Sequence, residues 1–368
     1  MTQASPRPLR VAILGAGMIS PGHAAVLREL PQARLVAVCD LSPERMSRLA
    51  RTYAIPEAFS SMGLMLERMR PDVVHVLLPP TDHLRAAVHC LNAGAHVFME
   101  KPMGISIAEC DELKRTAVAT GREVGVNHSM LYRPVIQRLI REIRANRLGR
   151  IVHVAVGWSI PVEKVLHTAL ERYVFQARQN ALLEWAVHPL SIVRRLLGRL
   201  EQVCAVAGRE RRTEYNQAYI SSWQASMRCE RGTAQLLLAV GEGYDSCWMD
   251  VLGEDAFAHV DIQQDAMIVG EHLPGRPTIA GLRRAVSNAA RLVASAGRNY
   301  RDDVLAMLGR RIHGTPAEFG MRDSIRAFYA ALDRGQPPPE GLEQGVATVE
   351  YCERLWQSAH SGGSKAVG

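Results

Sequence analysis

The chain has 368 residues, 47% of them hydrophobic and 22% charged, with a net charge of +7. Length and composition predict a globular protein of two domains, and no apolar run reaches the ~20 residues that a membrane-spanning helix needs. The basic residues are mostly arginines spread over helices, and only 5% of the chain is aromatic. That pattern speaks against nucleic acid as a partner and for an anionic cofactor or substrate. The seven cysteines are odd in number and scattered, with no CxxC pair. They exclude a zinc-binding pattern and a disulfide framework, so no metal is expected. Met1 to Pro8 lack the apolar core of a signal peptide, and the expected location is the cytoplasm.

The first third alternates strand and helix. Arg10–Leu14 is a short β-branched run that predicts a buried parallel strand, followed by Gly15-Ala16-Gly17-Met18-Ile19-Ser20 and a helix over Pro21–Leu30. Leu35–Cys39 is the second strand and ends in Asp40. Helices follow over Pro43–Arg51 and Ser60–Arg70, then a strand over Val73–Leu78 that Pro79-Pro80 stops. Thr81 reads as the cap of a helix over Asp82–Ala93. A strand over His96–Glu100, a helix over Ala108–Thr120 and a strand over Val124–Asn127 complete an α/β pattern. It predicts a doubly wound parallel sheet, with its ligand beyond the carboxyl ends of the strands.

The pattern changes after His128, so the first domain is expected at 1–128 and a second, α+β domain at 129–360. Helices are read over Pro134–Asn146 and Leu182–Leu197, and a strand over Ile151–Val156. Further strands over Gln202–Ala207, Ala218–Met227, Thr233–Val240, Ser246–Leu252 and Ala258–Ile262 predict an open, largely antiparallel sheet. An arginine-rich helical stretch covers Ile279–Ile312, and two helices, Met321–Arg334 and Glu343–Gln357, flank Pro337–Pro339. Residues 361–368 read as a disordered tail.

Strand, glycine turn, helix, strand and acid stand at the offsets of a dinucleotide-binding fingerprint. Gly15 permits the tight turn, Gly17 lets the pyrophosphate approach the backbone, and the start of the helix holds the anion. Asp40 can accept from both adenosine ribose hydroxyls and would repel a 2′-phosphate, which favours NAD over NADP. Arg45 could reach that phosphate but, lying beyond Pro43 and Glu44, reads as a solvated helix residue. Glu100-Lys101-Pro102 ends the fourth long strand, where an ammonium can hold a substrate oxygen and favour alkoxide-like charge. Glu184 and His188, four apart, share a face if helical, so that the carboxylate orients an imidazole able to take a carbinol proton. Pro189 beside His188 is compatible with a helix start or a kink.

These pieces, with His23, Leu78-Pro79-Pro80 and His83, Val126-Asn127 before Pro134, and Leu148-Gly149, resemble the family of glucose–fructose oxidoreductase, inositol dehydrogenase and the MocA proteins. The resemblance implies an NAD-dependent oxidoreductase acting on a secondary alcohol of a sugar, cyclic polyol or sugar derivative. It implies catalytic roles for Lys101, His188 and Glu184, and cofactor contacts from Gly15, Gly17, Met18, Ile19, Asp40, Pro79, His83, Glu100, Lys101 and Asn127. It implies a homodimer or homotetramer built on the open sheet. Glu184 stands where an aspartate is frequent, Ala186 for glycine, Ser191 for an acid and Ser129 for arginine, departures that all fall on the substrate side. Alternatives compatible with the family are a tightly held NAD used transiently for elimination, epimerisation or glycoside cleavage, and a non-catalytic ligand sensor. The basic stretch 279–312 suits a membrane surface or an anionic substrate. Its simpler reading is a lid or oligomer contact with a solvated charged face.

Overall fold

Short apolar runs separated by helices make the first sheet. In the computed structural model, which describes residues 7–161, 171–213, 216–241, 243–271, 277–308 and 315–361, these are β1 (Leu9–Leu14), α1 (Ser20–Glu29), β2 (Ala33–Cys39), α2 (Pro43–Tyr53), β3 (Glu57–Phe59), α3 (Met62–Met69), β4 (Val73–Val76), α4 (His83–Asn92), β5 (His96–Met99), α5 (Ile107–Thr120) and β6 (Val124–Val126). All six strands are parallel, in the order β3-β2-β1-β4-β5-β6. The order reverses between β1 and β4, the position where such sheets bind ligands. The side chains of Ser42, Ser61 and Ser106 cap α2, α3 and α5, each satisfying a donor the helix leaves open. Thr81 is not a cap: Pro80–Asp82 form a 3₁₀ turn and α4 begins at His83 without a side-chain cap. The two prolines preset that turn.

The chain forms two compact units, residues 1–128 with 321–349, and 129–320 with 350–368. The return of 321–349 to the first unit differs from the continuous second domain expected over 129–360. Its cause is apolar: Met321, Ile325, Phe328 and Tyr329 are buried in one cluster with Ile13, Leu27 and Phe98. Polar contacts reinforce the return. His128 Nδ1 lies 2.8 Å from Glu340 Oε2, both buried, and the Val126 N–H donates to Glu340 O at 2.8 Å.

The second unit is built on a seven-stranded sheet. Its elements are α6 (Pro134–Arg144), β7 (Ile151–Ile160), α7 (Glu171–Val174), α8 (Val187–Leu197), β8 (Leu200–Ala207), β9 (Glu210–Arg212), β10 (Ala218–Ile220), β11 (Ser222–Cys229), β12 (Gly232–Val240), β13 (Ser246–Gly253), β14 (Ala256–Asp261), β15 (Ala266–Glu271) and α9 (Pro277–Met307). The last two helices, α10 (Pro316–Asp333) and α11 (Leu342–Ser361), each contribute residues to both units. The sheet order is β15-β14-β13-β7-β12-β11-β8, antiparallel except for β7 beside β12. Burial alternates along β11 and β12, as in a sheet covered on one face and open on the other. The single strand expected over Ala218–Met227 divides at Ser221: β10 pairs with β9 in a two-stranded sheet, while β11 joins the large one. Residues 309–312 of the arginine-rich stretch and 362–368 of the tail lie outside the described residues. Ser361 closes α11. No helix among the described residues is long and apolar enough to cross a membrane.

Candidate functional site

In the first unit, the candidate residues gather at the carboxyl edge of one sheet. Gly15, Gly17, Met18 and Ile19 follow β1, Asp40 follows β2, Pro79 follows β4, Glu100 and Lys101 follow β5, and Asn127 follows β6.

The two glycines serve different ends. Gly15 has φ +101°, and a Cβ there would meet Leu77 O at 2.5 Å. It is glycine because the β1 and β4 loops touch. A Cβ on Gly17 would meet nothing within 4 Å. Packing does not require glycine there, and the space suits an approaching pyrophosphate. Ser20, at the third position, is fully buried and donates through Oγ to Gly17 O at 2.7 Å, closing the turn. The start of α1 has no side-chain cap and no acid in its first turn, so its N–H groups suit an anion. Met18 and Ile19 are exposed beside it.

Asp40 is held by backbone. Its Oδ2 accepts from the Ala16 N–H at 2.6 Å and its Oδ1 from the Ser42 N–H at 2.7 Å. Burial pushes its carboxyl up, but these two donors and Arg45 outweigh it and hold the group below its usual value. Arg45 is not simply solvated. Its Nη2 donates to Asp40 Oδ1 at 3.0 Å while the side chain stays half exposed. The first turn of α2 brings it back over the acid.

Glu100 ends a buried relay. Asn127 Nδ2 donates to Glu100 Oε1 at 2.7 Å, and His23 Nε2 lies 3.0 Å from the same oxygen. His23 Nδ1 lies 2.9 Å from His75 Nδ1, and His75 Nε2 lies 3.0 Å from the Tyr329 hydroxyl. A carboxylate can only accept, so His23 donates from Nε2 and, when neutral, accepts at Nδ1. His75 then donates from Nδ1 and accepts the Tyr329 O–H. Burial pushes the tyrosine well above its usual range and, with His23, pushes His75 well below. Both shifts suit that tautomer chain. Burial alone would raise Glu100, but His23, Asn127 and Lys101 bring it below its ordinary value. Oδ1 of Asn127 is buried with no hydrogen-bond partner among the described residues, an acceptor left for a ligand donor.

His83 is fully buried, with Nδ1 2.8 Å from Pro102 O and Nε2 2.9 Å from Leu78 O. It braces the loops after β4 and β5. Burial dominates and lowers its pKa, so the neutral ring donates to one carbonyl at a time. Lys101 is partly buried and the Lys101–Pro102 peptide is cis. The open Gly17 cradle, the uncapped start of α1, the backbone-held Asp40 and the unused Asn127 oxygen together fit an adenine dinucleotide.

In the second unit, the helix expected over Leu182–Leu197 is two structures. Leu182–Ala186 is a π turn, in which the Val187 N–H reaches back to Leu182 O, and α8 follows. Pro189 supplies the reason: it has no N–H to give and its ring crowds the carbonyl four residues back, so the preceding turn widens. Glu184 is buried inside the π turn, whereas His188 is partly exposed in the first turn of α8. The His188 ring meets Trp158 edge-on, centroids 5.6 Å apart. Ser191 is buried and donates through Oγ to His188 O at 2.6 Å. Trp158 and the His23–His75–Tyr329 relay were not singled out by the sequence reading. His75, a polar residue inside an otherwise apolar strand, was the visible signal for the relay. No group of His, Cys, Asp and Glu able to hold a metal occurs among the described residues.

Residues 9–128 match the model of an oxidoreductase family with an NAD-binding Rossmann fold. The chain is 32% identical over 145 residues to a D-glucoside 3-dehydrogenase of Escherichia coli, covering 39% of this chain and 41% of that protein. It is 31% identical over 156 residues to a trans-1,2-dihydrobenzene-1,2-diol dehydrogenase of Sus scrofa, covering 41% and 47%. The matched stretches thus span less than half the length of these relatives. Its fold is similar to that of the WlbA dehydrogenase of Bordetella pertussis, solved in complex with NADH and UDP-GlcNAcA. The TM-score is 0.76 at 19% identity over 98% of each chain.

Proposed function

We propose that the chain, whose residues 9–128 match the model of an NAD-binding oxidoreductase family, is an NAD-dependent dehydrogenase acting on a secondary alcohol of a sugar, cyclic polyol or sugar derivative. The observation that carries the reading is one sheet edge that joins an open Gly17 cradle and a backbone-held Asp40 to Lys101. The sugar and diol dehydrogenases among its relatives support the substrate class.

When bound, NAD accepts or returns a hydride at its nicotinamide C4. Gly15, Gly17 and the start of α1 hold the pyrophosphate, and Asp40 holds the adenosine ribose. Met18, Ile19, Pro79, His83, Glu100 and Asn127 shape or brace the rest of the cofactor's bed. Lys101 holds the substrate oxygen and stabilises negative charge on it as hydride leaves carbon. His188 takes the hydroxyl proton, and Glu184 orients the ring or binds a neighbouring hydroxyl. The free thiols, six of seven buried, suit a reducing cytoplasm. The open face of the large sheet suits a homodimer or homotetramer.

The test is a screen of sugars, inositols and nucleotide sugars for NADH absorbance, with NAD and NADP titrated by calorimetry. Turnover of at least one polyol, with NAD the tighter cofactor, is expected. Absence of turnover together with absence of NAD binding overturns the reading, and tighter NADP binding overturns its cofactor.

A further inference from the structure

Helix α9 is amphipathic the wrong way round. It packs against β15, with Ala280 buried near its start and Val304 and Leu305 half-buried near its end, yet from Arg284 to Asp302 the side turned inward is polar. Along it Ser295 is buried, and Arg284, Asn288, Arg291, Asn299 and Asp302 are half-buried. Asn299 Nδ2 donates to Gln264 O at 2.7 Å. Most of its large apolar residues face water. Ile279, Leu282, Val286, Val293, Tyr300 and Met307 are between 51% and 86% exposed. A helix that had found its whole partner within its own chain would show the opposite arrangement.

The outward stripe has a period of its own. Its positions are 279, 282, 286, 289, 293, 296, 300, 303 and 307, alternating steps of three and four. Ala289, Ala296 and Asp303, all exposed, complete it. Four heptads with a strict 3.5-residue repeat describe a coiled-coil seam, with the exposed Leu292 beside it. The 31 residues span roughly 46 Å at 1.5 Å each. Such a seam needs a second helix bearing a matching stripe.

We propose that α9 pairs with α9 of a second copy of this chain, antiparallel, about a two-fold axis near residue 291. In that register Ala289 meets Val293, Val286 meets Ala296, and Leu282 meets Tyr300, which sets small against large in the two central layers. Small residues at the flanking positions, Ala285, Ala290, Gly297 and Ala306, let the two backbones approach. Charge selects the orientation. The exposed Arg283 lies near one end of the stripe and the exposed Asp303 near the other. Antiparallel pairing brings Arg283 of one copy within a turn of Asp303 of the other, whereas parallel pairing sets like against like. An isologous contact of this kind closes on itself.

The test uses the full chain. Val293→Glu puts a carboxylate at the middle of the seam, at a side chain that is exposed in the single chain, so far-UV circular dichroism should stay that of the parent. Sedimentation equilibrium should give the variant half the mass of the parent at equal concentration. Leu282→Cys and Tyr300→Cys proteins are then oxidised separately and as an equal mixture. Only the mixture should yield a disulfide between positions 282 and 300, read by mass spectrometry. An unchanged mass for Val293→Glu overturns the proposal. So does a Leu282→Cys protein that cross-links to itself through position 282, the mark of parallel helices. Binding of the parent to phosphatidylserine vesicles that Val293→Glu abolishes without a change of mass assigns the stripe to a lipid surface instead, and also overturns it.

Discussion

The two units hold their candidate residues by different means. In the first, Gly15, Asp40, Glu100 and Asn127 stand at strand ends of one parallel sheet, and backbone or buried hydrogen bonds fix the last three. In the second, Glu184 and His188 stand on a helix widened by a π turn. A cofactor common to a whole family can be recognised by backbone geometry, which the glycine spacing encodes directly. A particular substrate has to be recognised by side chains, and a one-residue irregularity in a helix is enough to re-aim them. The departures from the family pattern at Glu184, Ala186 and Ser191 fall in this same segment of the second unit.

The largest effects test that division. His188→Ala and Lys101→Ala should each lower kcat by ~10²-fold or more, the usual worth of a general base or of a charge aimed at a developing oxyanion. NAD affinity in calorimetry should stay within threefold of the parent for His188→Ala, since the first unit alone is proposed to bind the cofactor. A parent-like kcat in either variant removes that residue from the mechanism. Loss of NAD binding in His188→Ala breaks the separation of roles.

Gly15 and Gly17 sharpen the comparison within one turn. Gly15→Ala should destabilise the protein by roughly 2–4 kcal/mol, because the new methyl overlaps Leu77 O and the backbone stays at positive φ. Gly17→Ala should leave the melting temperature unchanged while weakening NAD by about tenfold or more, since its methyl occupies only the space proposed for the pyrophosphate. Equal loss of stability in both variants would mean that Gly17 is glycine for folding alone.

The histidine relay predicts a pH limit. Burial holds the pKa of His75 well below 6.5 and that of His83 below 6.5. For a depressed histidine, stability is fully present above the unfolded value and is lost as pH falls below it. Denaturant unfolding should therefore weaken from about pH 6.5 downward, by up to about 1.4 kcal/mol per pH unit for each histidine. Glu100 and Asp40, both held below their ordinary values, add to the loss only below about pH 4.5. Tyr329→Phe removes the last donor of the relay and should cost about 1–3 kcal/mol by leaving His75 Nε2 unsatisfied. Stability that stays flat from pH 7 to pH 5 would show that burial does not hold these two histidines neutral.

What the sequence made legible is what local order encodes. The offsets among Gly15, Gly17 and Asp40 pointed to one edge of the first sheet, where all three follow strand ends, and the alternation of strand and helix gave the sheet. Long-range partners were hidden. Nothing local in Met321, Ile325, Phe328 and Tyr329 distinguishes a helix that joins the first core from one that joins the second. His75 reads as a flaw in an apolar strand until Tyr329, 254 residues away, is seen beside it. The π turn had one visible cause, Pro189. Periodicity alone reads a helix straight through it.

The smallest effect concerns Arg45, whose pairing with Asp40 was equally out of reach, because a helix position tells nothing of where a long side chain folds back. The pair is half exposed on the arginine side, and such pairs add at most about 1 kcal/mol to stability. Arg45→Ala should accordingly leave the melting temperature within a degree or two of the parent. Its effect should appear in cofactor choice. With Asp40 present, the guanidinium is held by the acid and NAD should be the tighter cofactor. In Asp40→Ala it is released towards the position a 2′-phosphate would take, so NAD should weaken more than NADP, and Arg45→Ala added to that variant should weaken NADP. Calorimetric titration of both cofactors against the parent, the two single variants and the double variant measures the coupling. A double variant that binds NADP as well as Asp40→Ala does would show that Arg45 has no part in the choice, and would leave the preference to the charge of Asp40 alone.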